Sequence, residues 1–529
     1  MNKPLSKEDL YELDQKTLVE TVLSLQTSVD ELLKNNELLL QALKVSRQRS
    51  FGSKSEVNNS DQIPLDLFLN EAEDLCDDTV KEAELSEAAP RKAKVKGKKK
   101  SDLSKITDHR EELIELPKEK LDQIFGEGNY RRLPDQIIQK LEHIPSRFEA
   151  VTYRICVYSA KDETKCDTSI VRADGPVEAF PKSIATPSLV SSIIVAKYAN
   201  GVPLYRQEKA FEQNNIFIDR RNMANWIISS YDHYFYKLIP SFRKELLESD
   251  IVHADETTLR CSKDCKDRDK NYMWVYCSSE FLNTNQVVVF DYQKDRKAEH
   301  PQEYLEGFQG TLVCDGYCAY KGLNKNIDIA GCWVHTKRKF SDYVKALGKE
   351  KAKGTLANEA INRISLIFHE EHKIKDLPDK QHLEKRKLII KPMVDDFFDW
   401  IRKNKDKVPL KSQTGKAFSY ALNQEDFLRT FLSDPRIPLE NNAAERKIRP
   451  FTIGRKNWVM IDTPKGARAS AAIYSIIETA KLYDLKLYDY IRYLLEELPK
   501  YENCSECPEH LLPWSDQLPD HLYKTKSKA

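Results

Sequence analysis

The first pattern in the chain is an apolar seam whose members recur in alternating steps of four and three residues. Its apolar positions are Leu18, Val22, Leu25, Val29, Leu32, Leu39 and Leu43. Asn36 is a polar seam position, and a lone asparagine among leucine and β-branched residues is typical of parallel dimeric coiled coils. The sequence therefore predicts a short coiled coil, although an amphipathic helix packed on its own domain would give the same spacing.

The segment that follows has the composition of a linker. An acidic stretch spans 66–88 and the basic run PRKAKVKGKKK spans 90–100, with few of the residues that build a core. The lysines of this run would bind nucleic-acid phosphates nonspecifically or simply remain solvated. Beyond 106, the stretches RFEAVTYRICVYSA and DTSIVRA alternate in part, which predicts the strands of a small β module.

Helical periodicity then resumes in three short pieces, LVSSIIVAKYANG, PLYRQEKAFEQNN and RRNMANWIISSY. Asp219 suits the N-cap of the last piece. Three short helices with tight joints predict a helix-turn-helix, although any three-helix bundle would share this periodicity. The residues expected to contact DNA from the first turns of the last helix are Arg220, Arg221, Asn222 and Asn225.

Strands of a different character begin at SDIVHADETTLR, where Asp255 interrupts an apolar run. Two further strands (YMWVYCS, QVVVFDYQ), a helix (HPQEYLEGF), a strand ending at Asp315 (GTLVCD) and another strand (IDIAGCWV) follow. This is the order of a ribonuclease-H-like α/β core. In that topology the first and fourth strands are neighbours, so Asp255 and Asp315 can meet.

Two carboxylates brought together raise each other's pKa unless a cation compensates, and hard oxygen ligands suit Mg²⁺ or Mn²⁺. A third acid from a later helix would complete a site for two ions that act on a phosphodiester. Taken singly, Asp255 could cap a turn, and Asp315 with Gly316 is a common turn pair. The strand order favours the joint interpretation.

Composition narrows the class of protein. Among 529 residues, 84 lysines and arginines nearly balance 83 aspartates and glutamates, so nucleic-acid binding has to come from local clusters. No run of about 18 apolar residues occurs, which argues against a membrane-spanning helix. Eleven cysteines without a signal-peptide pattern favour reduced thiols and a cytoplasmic protein.

Several blocks together carry a resemblance to a known family. They are HADETTLR, CDGYCAY, GCWVHTKRKF and ENNAAERKIRPFTIGRKNW, supported by RSFGSKSE, AKYANGVPLYRQE, IYSIIETAKLYDL and LLPW. In this order, over nearly the whole chain, they resemble the insertion sequence 66 family of bacterial DDE transposases. The resemblance implies an enzyme that cuts the ends of its own mobile element and joins them to new DNA, using Mg²⁺ and three acids.

The third acid is expected in the stretch PLENNAAERKIRPF. Its asparagines suit a helix start and Pro450 a helix end, which predicts a short helix over about 442–449. Glu445 would then lie inside a rigid helix, whereas Glu440 would lie on the turn before it. The resemblance favours Glu445, with Glu440 as the alternative. The expected catalytic and metal-binding residues are Asp255, Asp315 and Glu445.

Basic residues near these acids are expected to bind DNA, because they would hold the polyanion that the acids cut. They are His335, Lys337, Arg338, Arg446, Arg449, Arg455 and Lys456. Surface solvation is the alternative for the first three.

These observations predict a multidomain α/β protein, in which a ribonuclease-H-like catalytic core carries a helical insertion and follows a coiled coil, a small β module and a helix-turn-helix. The predicted parts are a coiled coil (1–49), a disordered linker (50–105), the β module (106–182), the helix-turn-helix (183–247), the first part of the core (248–344), the insertion (345–430), the second part of the core with the third acid (431–482) and a C-terminal helical element (483–529).

The expected cofactor is a pair of Mg²⁺ or Mn²⁺ ions, and no zinc is expected. The family often carries a zinc-ribbon-like module, but here only Cys156 and Cys166 stand at its position, too few for a four-ligand site. Cys504 and Cys507 have knuckle spacing with too few partners. Cysteines in apolar stretches are expected to be core thiols: Cys314, Cys318 and Cys332.

The expected partners are double-stranded DNA, as the terminal inverted repeats of the element and as target DNA, and a second copy of the chain in a homodimer or higher oligomer. Small accessory proteins of the same element are further candidates, and no membrane partner is expected. Two rival functions share these features, a metal-dependent structure-specific nuclease without strand transfer and an inactive DNA-binding regulator. Intact acids argue against the regulator, and inverted repeats flanking the gene would separate a transposase from a nuclease.

Overall fold

The computed structural model describes residues 178–524 except 265–269, 280–284, 324–325, 502–503 and 505, together with residues 148–159 and 170–173, scattered positions between 19 and 43, and position 119. The chain divides into two units. One comprises Met1–Cys76 with Glu178–Leu522, and the other Asp77–Val177 with Tyr523–Ala529.

The predicted coiled coil falls partly on described residues. The described positions between Val19 and Leu43 are all helical and exposed, whereas the seam residues Leu18 and Leu25 lie outside the described part. Because polar and apolar positions are exposed alike, these residues show no packed face, and the coiled coil stays a prediction. The linker predicted at 50–105 lies outside the described residues.

In the second unit, two short strands form an antiparallel pair, β1 (Val157–Ser159) and β2 (Ile170–Arg172). Both fall in segments that the sequence predicts as strands. Cys156, which precedes β1, is exposed, and Cys166 lies outside the described residues.

The first unit continues with α1 (Pro187–Tyr198), α2 (Leu204–Glu212), α3 (Arg220–His233) and α4 (Ile239–Leu247). The first three are the helices that the sequence predicts. Gly201, at a φ of 68°, adopts the left-handed conformation that separates α1 from α2. The Asp219 side chain accepts a hydrogen bond from the backbone N–H of Arg221 at 2.6 Å, which is the predicted N-cap of α3.

A five-stranded mixed sheet lies at the centre of this unit. Its strands are β3 (Ile251–Leu259), β4 (Asn271–Ser278), β5 (Val288–Gln293), β6 (Gly310–Cys314) and β7 (Ile327–Gly331), with the short helix α5 (Glu299–Tyr304) between β5 and β6. The strand order is β5-β4-β3-β6-β7. The pairs among β3, β4 and β5 are antiparallel, whereas β6 is parallel to both β3 and β7. β3 is therefore the central strand, and it is buried along most of its length.

A helical region follows β7. It comprises α6 (Trp333–Leu347), α7 (Lys349–Ala352), α8 (Leu356–Ile374), α9 (Asp379–Lys385), a π-helical turn (Arg386–Ile390), α10 (Lys391–Asn404), α11 (Gln413–Asn423) and α12 (Glu425–Arg429). Its core is aromatic, with buried Trp333 packed against Phe397 and Phe398. The Trp333 indole N–H donates to the carbonyl of Leu428 at 2.9 Å, so the burial of the indole leaves its polar group satisfied.

The chain then returns to the sheet through α13 (Asn442–Trp458), α14 (Pro464–Leu482) and α15 (Leu487–Glu497). α13 packs against β3 and β4, and α14 lies along β5. The hydroxyl groups of Ser475 and Thr479 on α14 accept hydrogen bonds from backbone N–H groups of β5 at 2.8 and 3.0 Å. This helix thereby satisfies donors that an edge strand would otherwise leave unpaired. Within the described residues, no helix combines the length and apolar character that crossing a bilayer requires.

Two predicted boundaries are wrong. The strand predicted as IDIAGCWV ends at Gly331, and Trp333 already belongs to α6, because periodicity does not separate a buried strand from the buried start of a helix. The helix predicted to end before Pro450 continues to Trp458. Proline removes one helical hydrogen bond, but the buried side chains of Ile448 and Phe451 hold the helix against the sheet on either side of it.

Arg386 joins the helical region to the segment that precedes α13, and its side chain is buried. Its guanidinium pairs with Glu371 and donates to the carbonyl oxygens of Phe431, Asp434 and Ile437 at 2.6, 2.7 and 3.0 Å. These contacts connect the helical region with the segment before α13 through one buried guanidinium.

We expect Arg386→Met to lower the free energy of unfolding by about 3–5 kcal/mol, because it leaves the Glu371 carboxylate and several carbonyl oxygens without their donor. Arg402→Met is the matched control, since Arg402 pairs with Asp399 and Glu425 at the surface and such pairs contribute about 1 kcal/mol or less. Chemical denaturation measures both. Equal losses in the two variants would contradict a special role for Arg386.

Candidate active site

Asp255 lies near the middle of β3, and its side chain is buried. Its Oδ1 atom accepts a hydrogen bond from the backbone N–H of Glu256 at 2.9 Å. Burying a carboxylate is costly unless its charge is compensated. Asp255 is thus a buried acid within the central strand of the sheet.

Asp315 directly follows β6, the parallel neighbour of β3. The register pairs His253 with Val313, and its continuation by two residues brings Asp255 opposite Asp315. The Asp315 Oδ1 atom accepts from the backbone N–H of Tyr317 at 2.9 Å, which holds the carboxylate at the turn. This register supports the predicted proximity of Asp255 and Asp315, which stays a prediction.

Gly316 allows the helical region to approach this turn. A Cβ atom at this position would lie 2.3 Å from the hydroxyl oxygen of Tyr420 on α11. The side-chain amide of Gln424 also donates to the Gly316 carbonyl at 3.3 Å. The turn that carries Asp315 is therefore supported by residues far along the chain, and a larger side chain at position 316 would require the Tyr420 ring to move.

Glu445 lies in the first turn of α13, and its side chain is only 5% exposed. Neither of its carboxylate oxygens has a hydrogen-bond partner among the described residues. Burial raises the pKa of Glu445 to about 7; the charge of Arg338 opposes this shift, whereas Glu440 and Asp315 add to it. Asp315 is therefore close enough to act on Glu445, although the two acids are distant in sequence.

Glu440 lies on the turn before α13 and is partly buried. Burial raises its pKa, while a hydrogen bond from the Asn442 side chain and the charge of Arg446 act against this shift. Glu440 thus bonds within its own turn, whereas Glu445 carries unpartnered oxygens on a helix.

Asn441 attaches the start of α13 to the sheet, a role that the sequence analysis does not predict. Its side-chain amide donates to the carbonyl of Ala254 at 2.7 Å, and its Oδ1 atom lies 3.0 Å from Nδ1 of His253. Burial lowers the pKa of His253 to about 4, so the ring is neutral and donates from Nδ1 to the amide oxygen. These bonds attach the helix of the third acid to the residues that precede Asp255.

Glu256, next to Asp255, is a further buried acid that the sequence interpretation passed over. It pairs with Arg296 and accepts from the Tyr320 hydroxyl at 2.6 Å. Burial and the charge of Asp315 raise its pKa to about 7, against the effects of Arg296 and Tyr320. The sequence feature that could have indicated this buried acid is its position directly after Asp255 inside an apolar strand.

Cys332 and His335 lie beside Glu445. The Nδ1 atom of His335 is 3.8 Å from Oε1 of Glu445, and one candidate ligand atom from each of the three residues lies within 4.8 Å of the others. Burial, aided by Arg338 and Lys339, lowers the pKa of His335 to about 3, so the ring is neutral. Cys332 is a buried thiol as predicted, and so is Cys314, whereas the prediction for Cys318 is wrong because its side chain is exposed.

Comparisons with known proteins identify the family. A family model described as Transposase IS66 family matches residues 182–469, more than half of the chain. The chain belongs to the IS66 family of transposases. Models described as IS66 C-terminal element and Transposase C of IS166 homeodomain match residues 475–514 and 38–109 of this transposase.

Two curated relatives of the transposase come from Sinorhizobium fredii. Uncharacterized protein y4qI is 29% identical over 390 residues, which cover 71% of this chain and 70% of the relative. Uncharacterized protein y4hP is 28% identical over 384 residues, which cover 68% and 67%. No solved structure matches the chain. Family membership therefore supports a role in DNA transposition, and the relatives add no biochemical detail.

The residues predicted to bind DNA in this transposase fall into two groups. Arg220, Arg221, Asn222 and Asn225 are exposed on the first turns of α3, and Arg446, Arg449 and Lys456 are exposed on α13. His335, Lys337, Arg338 and Arg455 are partly buried. Arg455 donates to the hydroxyl groups of Thr257 and Thr258 at 3.2 Å, which ties α13 to β3.

The raised pKa of Glu445 predicts a pH-dependent cost to stability in the absence of metal. The folded state keeps its proton up to about pH 7, whereas the unfolded state releases it above about 4.5, so stability falls as the pH rises between these values. We expect Glu445→Gln to remove this loss and to be more stable than the wild type by about 3 kcal/mol at pH 8, at about 1.4 kcal/mol per pKa unit.

Chemical denaturation from pH 4 to pH 8 in the presence of a chelator measures the difference. Glu384→Gln, at an exposed position, is the control and should follow the wild-type profile. If the stability of Glu445→Gln fell with pH as much as that of the wild type, the Glu445 carboxylate would not be the source of the pH dependence.

Proposed function

We propose that this IS66-family protein is a DDE transposase that binds the ends of its mobile element, cleaves phosphodiester bonds there and joins the 3′ ends to target DNA. Asp255, Asp315 and Glu445 are the proposed catalytic residues. Two observations support the proposal: the parallel register of β3 with β6, whose continuation would set Asp255 opposite Asp315, and the charge of Asp315 felt by Glu445. Family membership favours strand transfer over simple cleavage.

The donor set fits hard divalent cations. Glu445 has two buried oxygens without a hydrogen-bond partner among the described residues, and burial raises its pKa to about 7 despite the opposing charge of Arg338. Carboxylates of this kind are ligands that Mg²⁺ and Mn²⁺ prefer. When bound, two such ions would activate a water or a 3′-hydroxyl and stabilise the leaving oxygen of the phosphodiester.

Residues of the chain itself would hold the DNA. The exposed cations Arg446, Arg449 and Lys456 lie on the same helix as Glu445, and this supports a phosphate-binding role beside the acids. We assign recognition of the element ends to α3, where Arg220 and Asn225 are exposed on the first turns, as in a helix-turn-helix. His335 and Arg338 lie near Glu445 and would act at the site itself.

The domain plan belongs to the same proposal. The strand order is β5-β4-β3-β6-β7, in which β4 is antiparallel to both β5 and β3, and β6 and β7 run parallel to β3. This arrangement supports a ribonuclease-H-like core. The helices from α7 to α12 would be an insertion within that core. A coiled coil before residue 50 would join two protomers, since paired cutting of two ends requires at least two active sites.

The proposal predicts that Asp255→Asn, Asp315→Asn and Glu445→Gln each lower Mg²⁺-dependent cleavage of DNA carrying the element ends by roughly 10³-fold or more, because each removes a ligand of the reacting centre. Binding of the same DNA, measured by gel shift, should change little. Glu440→Gln is the matched control and should keep measurable cleavage.

The double variant Arg220→Ala with Asn225→Ala tests DNA recognition separately from catalysis. It should bind the element ends less selectively relative to other DNA, while the three acids remain intact. Strand-transfer products in the wild type separate a transposase from a nuclease. Cleavage by the wild type that survives in all three acid variants would refute the assignment, and loss of activity in Glu440→Gln alone would transfer the role of third acid to Glu440.

A further inference from the structure

Three side chains with different chemistry surround one point beside the proposed acid site. Cys332 lies immediately before α6, His335 lies in its first turn, and Glu445 reaches them from α13. One candidate ligand atom from each residue lies within 4.8 Å of the others, and Nδ1 of His335 is 3.8 Å from Oε1 of Glu445. Among the described residues, this is the group of cysteine, histidine and acidic side chains that meets the spacing of a metal centre.

The polar atoms of this group lack partners that would explain their burial. The Nδ1 atom of His335 and both carboxylate oxygens of Glu445 are buried without a hydrogen-bond partner among the described residues. The sulfur of Cys332 accepts from the backbone N–H of Asn441 at 3.3 Å, which holds the sulfur beside the start of α13. Buried polar atoms left unpaired are costly, and a bound cation would satisfy all of them at once.

We propose that Cys332, His335 and Glu445 bind a borderline-soft divalent cation of the Zn²⁺ class, in competition with hard ions for the Glu445 carboxylate. Thiolate, imidazole and carboxylate are the ligands of tetrahedral zinc, and ligand atoms in such sites lie roughly 3 to 4 Å apart, so only a small contraction is required. Three protein ligands leave a fourth position open, which suits an exchangeable ion rather than a permanent structural one.

This cation would withdraw Glu445 from the other two acids, so it is an inhibitory ion. That consequence rests on the proposed function, whereas binding of the ion does not. The inference departs from the sequence-based expectation of no zinc, which considered only the cysteines near residues 156 and 504. The spacing of Cys332 and His335, with two residues between them, was an available signal, but Glu445 is distant in sequence.

The test is a Co²⁺ titration of the reduced full-length chain, since cobalt replaces zinc and gives a thiolate-to-metal charge-transfer band that reports a Co–S bond directly. We expect the band in the wild type. Cys332→Ser should abolish it, and His335→Ala and Glu445→Gln should weaken Co²⁺ binding by roughly 100-fold, because each removes a ligand. Added Zn²⁺ should displace the cobalt and remove the band.

Three control variants separate this site from the other cysteines and from the proposed acid site. Cys318→Ser and Cys504→Ser, both at exposed thiols, should keep the band. Asp255→Asn should keep it too, although its DNA cleavage should be lost. No band in the wild type, or a band that survives Cys332→Ser, would overturn the inference, and the proposed function would stand if the wild type still cleaves DNA with Mg²⁺. A band without any cleavage would overturn the proposed function alone.

Discussion

The parallel pairing of β3 with β6 is the constraint on which the rest of the site depends. The register that pairs His253 with Val313 runs on toward Asp255 and Asp315, so these two acids lie on adjacent strands although they are distant in sequence. Antiparallel pairing of the same two strands would give a different register. The proposed meeting of Asp255 and Asp315 therefore depends on this register.

The third acid depends on a second interaction, the contact of Asn441 with β3. Its side chain bonds to the carbonyl of Ala254 and to the ring of His253, so the start of α13 is held one residue from Asp255 along the strand. Burial of Ile448 and Phe451 then keeps the helix continuous through Pro450. Glu445 consequently projects from a rigid element, with neither carboxylate oxygen hydrogen-bonded by the described residues.

The sequence predicted the strands and their order well, because buried strands of β-branched residues bounded by turns leave a clear pattern, and Asp255 and Asp315 stood out as acids at such strands. It predicted the cap at Asp219 because capping is local. The prediction of element boundaries was wrong where tertiary contacts determine them. At Pro450, packing outweighs a local helix breaker, and at Trp333 one apolar run contains the end of a strand and the start of a helix. The approach of Cys332 to Glu445 and the bonds of Asn441 join distant segments, and local pattern carries no information on them.

The central claim is that Asp255, Asp315 and Glu445 form one site for divalent cations. Anomalous diffraction from crystals grown with Mn²⁺ tests it most directly, because the ions and their ligands are then observed together. The account predicts anomalous peaks within bonding distance of Asp255 and Asp315, with Glu445 completing the coordination, and their loss in Asp255→Asn. Peaks confined to other parts of the chain, or no peak at these three carboxylates under conditions in which the protein cleaves DNA, would contradict it.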